Sequence, residues 1–264
     1  MKNRITMNRR TFIKTTAISS LAFGIKSFGH INKSHIITLS FDDGFKKSFY
    51  KIADIYEDYG LKACLNVIAS GHLPDFQKVD DWILPELMGS FDDWNSLHNR
   101  GHEIMPHSWQ HLNLARQPFD RAQELIIKCL DYFEENLEGY KNSNAVFNFP
   151  FNASTPELEE FTLSKVLAIR TRGDTRINPT PEPQEFYNLV CDFMGPDNID
   201  NWVEKTINNF LASPGGWLIL NTHGLDDEGW GPMSSTYLDS LLKRLVKIDK
   251  LEILPTGEVL KRSI

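Results

Sequence analysis

Two adjacent carboxylates, Asp42 and Asp43, follow an apolar run in the segment 40–44, which reads Ser-Phe-Asp-Asp-Gly. One carboxylate of such a pair can bind a cation while the other accepts a proton, which is the division of roles that metal-assisted hydrolysis needs. The same residues also suit a turn in which Asp43 caps the next helix and Gly44 provides backbone freedom. The pair alone leaves both interpretations open.

Two histidines, His107 and His111, stand four positions apart in the segment His-Ser-Trp-Gln-His. This spacing places both imidazoles on one side of a helical turn. A histidine pair of this kind, taken alone, is more often solvated or satisfied in the core than bound to a metal. Together with one aspartate, the pair gives three N and O ligands with an open position, which is typical of a catalytic metal site rather than a structural one.

A third histidine, His223, ends another apolar run in the segment 220–223, which reads Leu-Asn-Thr-His. It is a candidate general acid, and the alternative is a rim histidine bonded to a neighbouring carboxylate. Trp230 follows in a polar loop, where its ring would either stack on a sugar or cover the edge of the fold.

Short apolar runs alternate with amphipathic stretches from residue 36 onward, a pattern typical of repeated β–α units. The predicted strands are 36–41, 62–68, 102–105, 145–149, 166–170, 188–193, 217–221 and 251–254. Helical patterns lie between them, including one that ends before Gly60 and one over 119–133. Seven or eight parallel strands with intervening helices predict an α/β barrel, and an open doubly wound sheet is the alternative. In a barrel, the ends of the first and third strands meet at one rim, so an aspartate and both histidines would converge on a cation.

The chain of 264 residues is close to the length of one α/β barrel, so we expect a single catalytic domain over residues 30–264. Its net charge of -7 provides no basic face for phosphate backbones, which argues against nucleic-acid partners. The three cysteines, Cys64, Cys129 and Cys191, are far apart and lack the spacing of thiolate zinc sites. We expect them to be small buried apolar side chains.

Residues 1–29 have the layout of a signal peptide, with basic residues before an uncharged, apolar run over 15–25. That run is shorter than the roughly 20 residues that an α-helix needs to cross a bilayer, so we expect no stable membrane anchor. Arg9 and Arg10 resemble the paired arginines of twin-arginine export signals, with an ordinary secretory signal as the alternative. We therefore predict export to the periplasm or the extracellular space.

Three of these motifs resemble those of the polysaccharide deacetylases grouped as carbohydrate esterase family four, which share a NodB-homology domain. Segment 40–44 matches the family's Thr/Ser-Phe-Asp-Asp-Gly, segment 107–111 its His-Ser/Thr-x-x-His, and segment 220–223 its Leu-x-x-His. The motifs keep the family's order across nearly all of the mature chain. The resemblance implies a distorted (β/α) barrel of seven or eight parallel strands.

The resemblance also implies roles for the residues of the first two motifs. Asp42 would be the general base, and Asp43 would be a metal ligand. His107 and His111 would complete the ligand set, and Ser108 would support their turn by hydrogen bonding. The metal would be one divalent ion, for which Zn²⁺ is the first expectation, although Co²⁺, Ni²⁺, Mn²⁺ or Fe²⁺ suit the same donors.

The implied reaction is removal of an acetyl group from an acetylated carbohydrate, either an N-acetylhexosamine polymer or an O-acetylated glycan. His223 would protonate the leaving group, and the backbone N–H of Phe151 would stabilise the oxyanion. Leu220 would line the pocket for the acetyl methyl group, and Trp230 would contact the substrate.

The third and fourth motifs depart from the family's common pattern. Asn148 stands where an arginine usually braces the catalytic aspartate. Family branches with an aromatic-Pro-aromatic core at this motif also lack that arginine. We expect Arg170 to supply the missing charge, with Arg172 as the alternative. The fourth motif would give His223 an aspartate partner, for which Asp192 is the candidate and Asp174 the alternative. These departures leave open a catalytically silent sugar-binding protein on the same barrel. A hydrolase of small cyclic amides on the same scaffold is a further alternative, against which the predicted export argues.

Overall fold

Strands and helices alternate along the chain, as the apolar pattern predicts. The computed structural model describes residues 34–78, 80–173, 176–180 and 187–262, all within the unit Asn32–Ile264. The predicted signal peptide, residues 1–29, and Asp174 lie outside the described residues. The strands are β1 (His35–Phe41), β2 (Cys64–Val67), β3 (Glu103–Pro106), β4 (Val146–Asn148), β5 (Ala168–Thr171), β6 (Tyr187–Val190), β7 (Asp192–Phe193), β8 (Gly216–Thr222) and β9 (Leu251–Ile253). The helices are α1 (Lys46–Glu57), α2 (Phe91–Asn99), α3 (Phe119–Asn136), α4 (Pro156–Leu163), α5 (Asp200–Leu211), α6 (Ser235–Leu245) and α7 (Thr256–Lys261).

The larger of two sheets is built around β1, which is buried along its whole length. β8 pairs with every residue of β1, and β2 and β9 share the opposite edge. With β3 beyond β2 and β7 beyond β8, this sheet has six strands. All of its ladders are parallel, so the carboxyl ends of β1, β2, β3 and β8 lie along one edge.

The smaller sheet contains β4, β5 and β6, again in parallel. Among the described residues no ladder joins β3 to β4. The Pro106 carbonyl, at the end of β3, accepts a hydrogen bond from the Asn148 side chain (Nδ2 to O, 3.3 Å). Pro106 also has no backbone N–H with which to form a ladder. The predicted strand 188–193 is in fact two strands separated at Cys191. Before Cys191 the chain pairs with β5 as β6, and after it the chain pairs with β8 as β7.

The order in which neighbouring strands meet is that of a barrel. The runs β1-β2-β3, β4-β5-β6 and β7-β8-β1 follow the chain and return to the first strand, whereas a doubly wound sheet would reverse direction after its first strand. The predicted α/β architecture of parallel strands is therefore confirmed. Among the described strands, the hydrogen bonding is interrupted between β3 and β4 and between β6 and β7.

The helices pack an apolar face against the strands, at the positions that the 3.6-residue pattern predicts. α1 buries Phe49, Ile52 and Tyr56, and α3 buries Leu125 and Phe133. The three cysteines are buried and free, as expected. In the part of the chain that the structure describes, no helix combines the length and apolarity needed to cross a membrane.

Candidate active site

Asp42 and Asp43 follow the last residue of β1, and both are buried. The Asp42 N–H donates to the Thr222 carbonyl (2.9 Å), which continues the β1–β8 ladder to the rim. Asp43 and Gly44 then adopt positive φ angles of 81° and 99°, so the chain turns sharply before α1. Asp43 does not cap that helix, because Phe45 occupies the capping position and no side chain caps it.

His107 and His111 follow β3 in a turn that is not helical. Ser108 and His111 have left-handed φ angles of 66° and 58°, and Ser108 Oγ accepts a hydrogen bond from the His111 N–H (3.0 Å). The helical turn predicted from the spacing is therefore wrong. The two imidazoles nevertheless lie side by side, with ring centroids 5.1 Å apart.

Asp43, His107 and His111 bring their ligand atoms within 4.8 Å of one another. Asp43 Oδ1 lies 3.6 Å from His107 Nε2 and 3.5 Å from His111 Nε2. Both oxygens of Asp43 are buried, and neither has a hydrogen-bond partner among the described residues. Because an unpaired buried carboxylate is costly, these three side chains fit a divalent cation bound between them.

The second nitrogen of each histidine ring is held by an oxygen. His107 Nδ1 lies 2.9 Å from the Asn148 carbonyl, and His111 Nδ1 lies 2.7 Å from Asp80 Oδ2. Since a carbonyl and a carboxylate accept hydrogen bonds, each Nδ1 donates, and in the neutral ring this leaves the Nε2 lone pair free to bind a metal. Burial lowers the pKa of His107 to about 4, which favours its neutral, metal-binding form. Sequence reasoning missed Asp80, because it lies in an irregular segment that has no helical or strand periodicity.

Asp42 accepts four hydrogen bonds from side chains. Arg170 donates two, from Nη1 to Oδ1 (2.9 Å) and from Nη2 to Oδ2 (2.5 Å). Asn66 Nδ2 donates to Oδ1 (2.7 Å) and Asn221 Nδ2 donates to Oδ2 (2.6 Å). Burial by itself would raise the pKa of Asp42, but the charge and hydrogen bonding of Arg170, together with the neighbouring His107 and His223, outweigh burial and hold the pKa far below its usual range. Sequence reasoning missed both asparagines.

Arg170 contacts the Asp42 carboxylate directly, and Asn148 reaches it only through Asn66. Arg170 is fully buried on β5 and contacts Asp42, whereas Arg172 is exposed. Asn148 Nδ2 donates to Asn66 Oδ1 (2.9 Å), which leaves the Asn66 amide nitrogen directed at Asp42. The guanidinium of Arg170 and the hydrogen-bonded amides of Asn148 and Asn66 thus surround one side of the Asp42 carboxylate.

His223 follows β8 and borders the site, but Asp192 is not its partner. Asp192 lies opposite Leu220 in the β7–β8 ladder, and its Oδ2 lies 3.3 Å from Nη1 of Arg176. The predicted pair is wrong because successive residues of a strand face opposite sides, and Phe193 is the residue that faces the cavity. His223 Nδ1 is buried with no hydrogen-bond partner in the described ranges, and burial lowers the pKa of the imidazole.

A cavity of about 220 Å³ opens onto these groups. Its wall combines the polar groups of the site with four aromatic rings. The lining residues are Asp42, Trp82, His107, His111, Phe151, Asn152, Phe193, Asn221, His223 and Trp230. The Phe151 ring lies against His111 (centroids 4.8 Å apart), and the Trp230 ring meets His223 edge-on (5.7 Å).

Leu220 does not line this cavity. Its side chain is fully buried in the main apolar core, while the next residue, Asn221, directs its amide at Asp42. Since side chains alternate along β8, only one of these two can face the site. The prediction that Leu220 contacts the acetyl methyl group is therefore wrong.

A family model for polysaccharide deacetylases matches residues 30–162, half of the chain, including the aspartate pair and the histidine pair. The chain belongs to the polysaccharide deacetylase family. It is accordingly a hydrolase of the deacetylase class. The family model ends at residue 162, so it does not include His223. No curated protein matches the sequence.

Solved structures of low sequence identity share the fold of this family member. A Mycobacterium smegmatis protein classed with the polysaccharide deacetylases aligns with a TM-score of 0.67 and 11% identity, covering 88% of this chain and 91% of its own. Peptidoglycan deacetylase PdaC from Bacillus subtilis aligns with a TM-score of 0.55 and 16% identity, covering 87% and 92%. Puue allantoinase aligns with a TM-score of 0.59 and 10% identity, covering 81% and 71%. A shared fold does not fix the substrate, which depends on the site.

Proposed function

We propose that this protein is a metal-dependent hydrolase that removes acetyl groups from an acetylated carbohydrate. The observation that supports this most directly is a buried Asp-His-His ligand group beside a second, ionised aspartate at one cavity. Membership of the polysaccharide deacetylase family supports the deacetylase activity.

Asp43, His107 and His111 would hold one divalent ion. We propose Zn²⁺ because one carboxylate and two imidazoles with an open position suit a catalytic zinc site, and Co²⁺, Ni²⁺, Mn²⁺ and Fe²⁺ suit the same donors. When bound, the ion would act as a Lewis acid at the acetyl group and make water in the site more acidic.

The side chains around the ligands would carry the proton transfers. Asp42 accepts a proton from the attacking water, whose oxygen adds to the acetyl carbon and forms a tetrahedral oxyanion. The backbone N–H of Phe151, at a left-handed φ of 58° on the cavity wall, stabilises the negative charge. His223 protonates the leaving nitrogen or oxygen as its bond to the acetyl carbon breaks, and its lowered pKa makes the protonated ring a stronger acid.

The substrate would be held by the aromatic part of the cavity wall. Trp82, Phe151, Phe193 and Trp230 offer apolar faces of the kind that stack on sugar rings, beside the polar groups that act on the acetyl group. This arrangement supports an N-acetylhexosamine or an O-acetylated sugar unit as the group that enters. Residues 1–29 support the further proposal of export, by the twin-arginine route, to the periplasm or outside the cell.

The size of the cavity favours one second candidate, a hydrolase of small cyclic amides. Its volume of about 220 Å³ is below the roughly 300–1,000 Å³ of most ligand sites, so a compact ring amide would fit as well as a sugar unit. The reaction would use the same ligands and the same base. A catalytically silent sugar-binding barrel is disfavoured, because Arg170 and Asp43 preserve an ionised base and an open ligand group.

An acetate-release screen tests the proposed function. The Zn²⁺-loaded protein is incubated with N-acetylglucosamine oligomers, peptidoglycan, O-acetylated xylan and a panel of cyclic amides, and acetate and ring opening are measured separately. We expect acetate from at least one acetylated carbohydrate. Ring opening without acetate would establish the second candidate, and binding of a glycan with neither product would establish a silent barrel.

Replacing His111 by alanine is expected to lower both metal occupancy and activity, because one of three ligands is lost. Elemental analysis of the purified variant measures the occupancy. His98→Ala, a change outside the ligand group, serves as the control and should retain the metal. Full occupancy in the His111 variant would show that His111 is not a ligand.

A further inference from the structure

One carboxylate reaches the ligand group from the segment that joins β2 to α2. Asp80 Oδ2 lies 2.7 Å from His111 Nδ1, and the Asp80 side chain is only 14% exposed. None of the three matched motifs includes Asp80, and it is not a member of the ligand group itself. Its contact is with the outer nitrogen of a ligand, so its effect would be exerted through His111.

The two histidine ligands differ in what holds them. His107 Nδ1 meets a backbone carbonyl, which is neutral, whereas His111 Nδ1 meets a carboxylate. A hydrogen bond from Nδ1 to a carboxylate fixes the tautomer and the ring orientation, and it also makes Nε2 a stronger donor to a metal. Of the two imidazoles, His111 is therefore the one whose ligand strength depends on a side chain.

Asp80 is held in place by the packing of its own segment. The Ile83 N–H donates to the Asp80 carbonyl (3.3 Å), and Ile83 is fully buried in a small cluster with Phe45 and Met88. A further bond from the Gly89 N–H to the carbonyl of Gly44 (3.1 Å) ties this segment to the turn that carries Asp43. The segment and the ligand group are thus fixed relative to each other.

The same segment also contributes to the cavity. Trp82 lines the cavity, and its ring centroid lies 6.4 Å from that of Trp230. Asp80 therefore lies two residues before a side chain of the wall that we expect to contact the substrate.

We propose that Asp80 is a positioning residue that strengthens metal binding by orienting and polarising His111. This inference depends on the metal site of the proposed function. In the absence of Asp80, His111 would keep its place on the turn after β3 but would lose its fixed orientation and part of its basicity.

The test compares Asp80→Asn, Asp80→Ala and Asp81→Asn in the full chain. Asp81 is the matched control, since it is the next residue and its side chain is fully exposed. The dissociation constant for Zn²⁺ is measured by competition with a chromophoric chelator, with no substrate present. We expect both Asp80 variants to lose about 10- to 100-fold in affinity, the alanine variant more, and Asp81→Asn to bind as the unaltered protein does.

Circular dichroism of the metal-free proteins shows whether each variant is folded, so that loss of affinity is not confused with loss of structure. Hydrogen exchange over residues 80–88 should become faster in the folded Asp80→Ala variant. Affinity of Asp80→Ala within two-fold of the unaltered protein would overturn the proposal, as would an equal loss in Asp81→Asn. Neither outcome depends on which substrate the protein uses, so failure here is distinct from failure of the proposed function.

Discussion

Asparagine in place of Asp42 is expected to lower turnover by about 10²- to 10⁴-fold while the protein keeps its metal. The amide cannot accept the proton of water, but Asp42 is not among the ligand group, which is Asp43, His107 and His111. The carbonyl oxygen of the introduced amide can still accept a hydrogen bond from Arg170, but the buried guanidinium loses its counter-charge, so circular dichroism is used to check that the variant is folded. Turnover is measured on the substrate identified by acetate release, and metal content by elemental analysis.

Asp43→Asn is the matched comparison, since the two aspartates are adjacent and chemically alike. It removes the charged ligand, so metal affinity should fall and excess Zn²⁺ should restore part of the activity. Added metal should not rescue Asp42→Asn. If Asp42→Asn loses its metal as readily as Asp43→Asn, the separate roles of base and ligand are wrong.

The site residues that could be predicted from the sequence lie in short motifs at strand ends. Asp42 and Asp43 follow the buried run of β1, and the histidine pair follows β3. Because parallel strands of a barrel deliver their carboxyl ends to one rim, strand order alone was enough to bring these motifs together. Local geometry was not predictable: the histidines converge through left-handed residues in a turn rather than through a helix.

The residues that were missed depend on which strands become neighbours. Asn66 and Asn221 reach Asp42 only because β2 and β8 flank β1. In these ladders Ser40 of β1 lies opposite Cys64 of β2 and opposite Asn221 of β8. An asparagine inside a strand carries no signal of this in the sequence. Asp80 is harder still, since it stands in a segment without periodicity and is placed by the packing of Ile83 and Met88.

Arg170 and Asp192 show why the sequence alone does not fix which strand side chains reach the site. Arg170 lies within one continuous strand, β5, and its side chain reaches the site. Asp192 was expected within one strand, 188–193. The chain instead passes from one sheet to the other at Cys191, so the alternation of side chains before Cys191 does not continue after it. Phe193 consequently faces the cavity and Asp192 meets Arg176.

Replacing Arg170 by methionine is expected to shift the acidic limb of the pH–rate profile upward. Burial favours the neutral form of Asp42, and Arg170 makes the largest of the contributions, with those of His107 and His223, that hold its pKa far below the usual range. Without the guanidinium, burial prevails and the pKa rises, so a higher pH is needed to ionise the base. The measurement is kcat/KM for acetate release across the acidic and neutral pH range.

The same change should also reduce stability at neutral pH. In the unaltered protein, ionised Asp42 contributes stability that is present above the ordinary carboxyl pKa and is lost as the pH falls through the lowered value. Arg170 and Asp42 are both buried, and removal of one partner of a buried ion pair costs about 3–5 kcal/mol. Denaturant titration measures this loss, which should shrink as the pH is lowered, because the unaltered protein then loses the contribution as well.

Arg172→Met separates a specific effect of Arg170 from a general loss of positive charge. Arg172 stands two residues further on and is exposed, with its guanidinium 5.6 Å from the Phe193 ring rather than against Asp42. Its replacement should leave the acidic limb in place. Arg170→Lys retains the charge without the paired hydrogen bonds, so its limb should fall between those of the unaltered protein and Arg170→Met. An acidic limb that stays fixed in Arg170→Met would mean that Asp42 is not the titrating base.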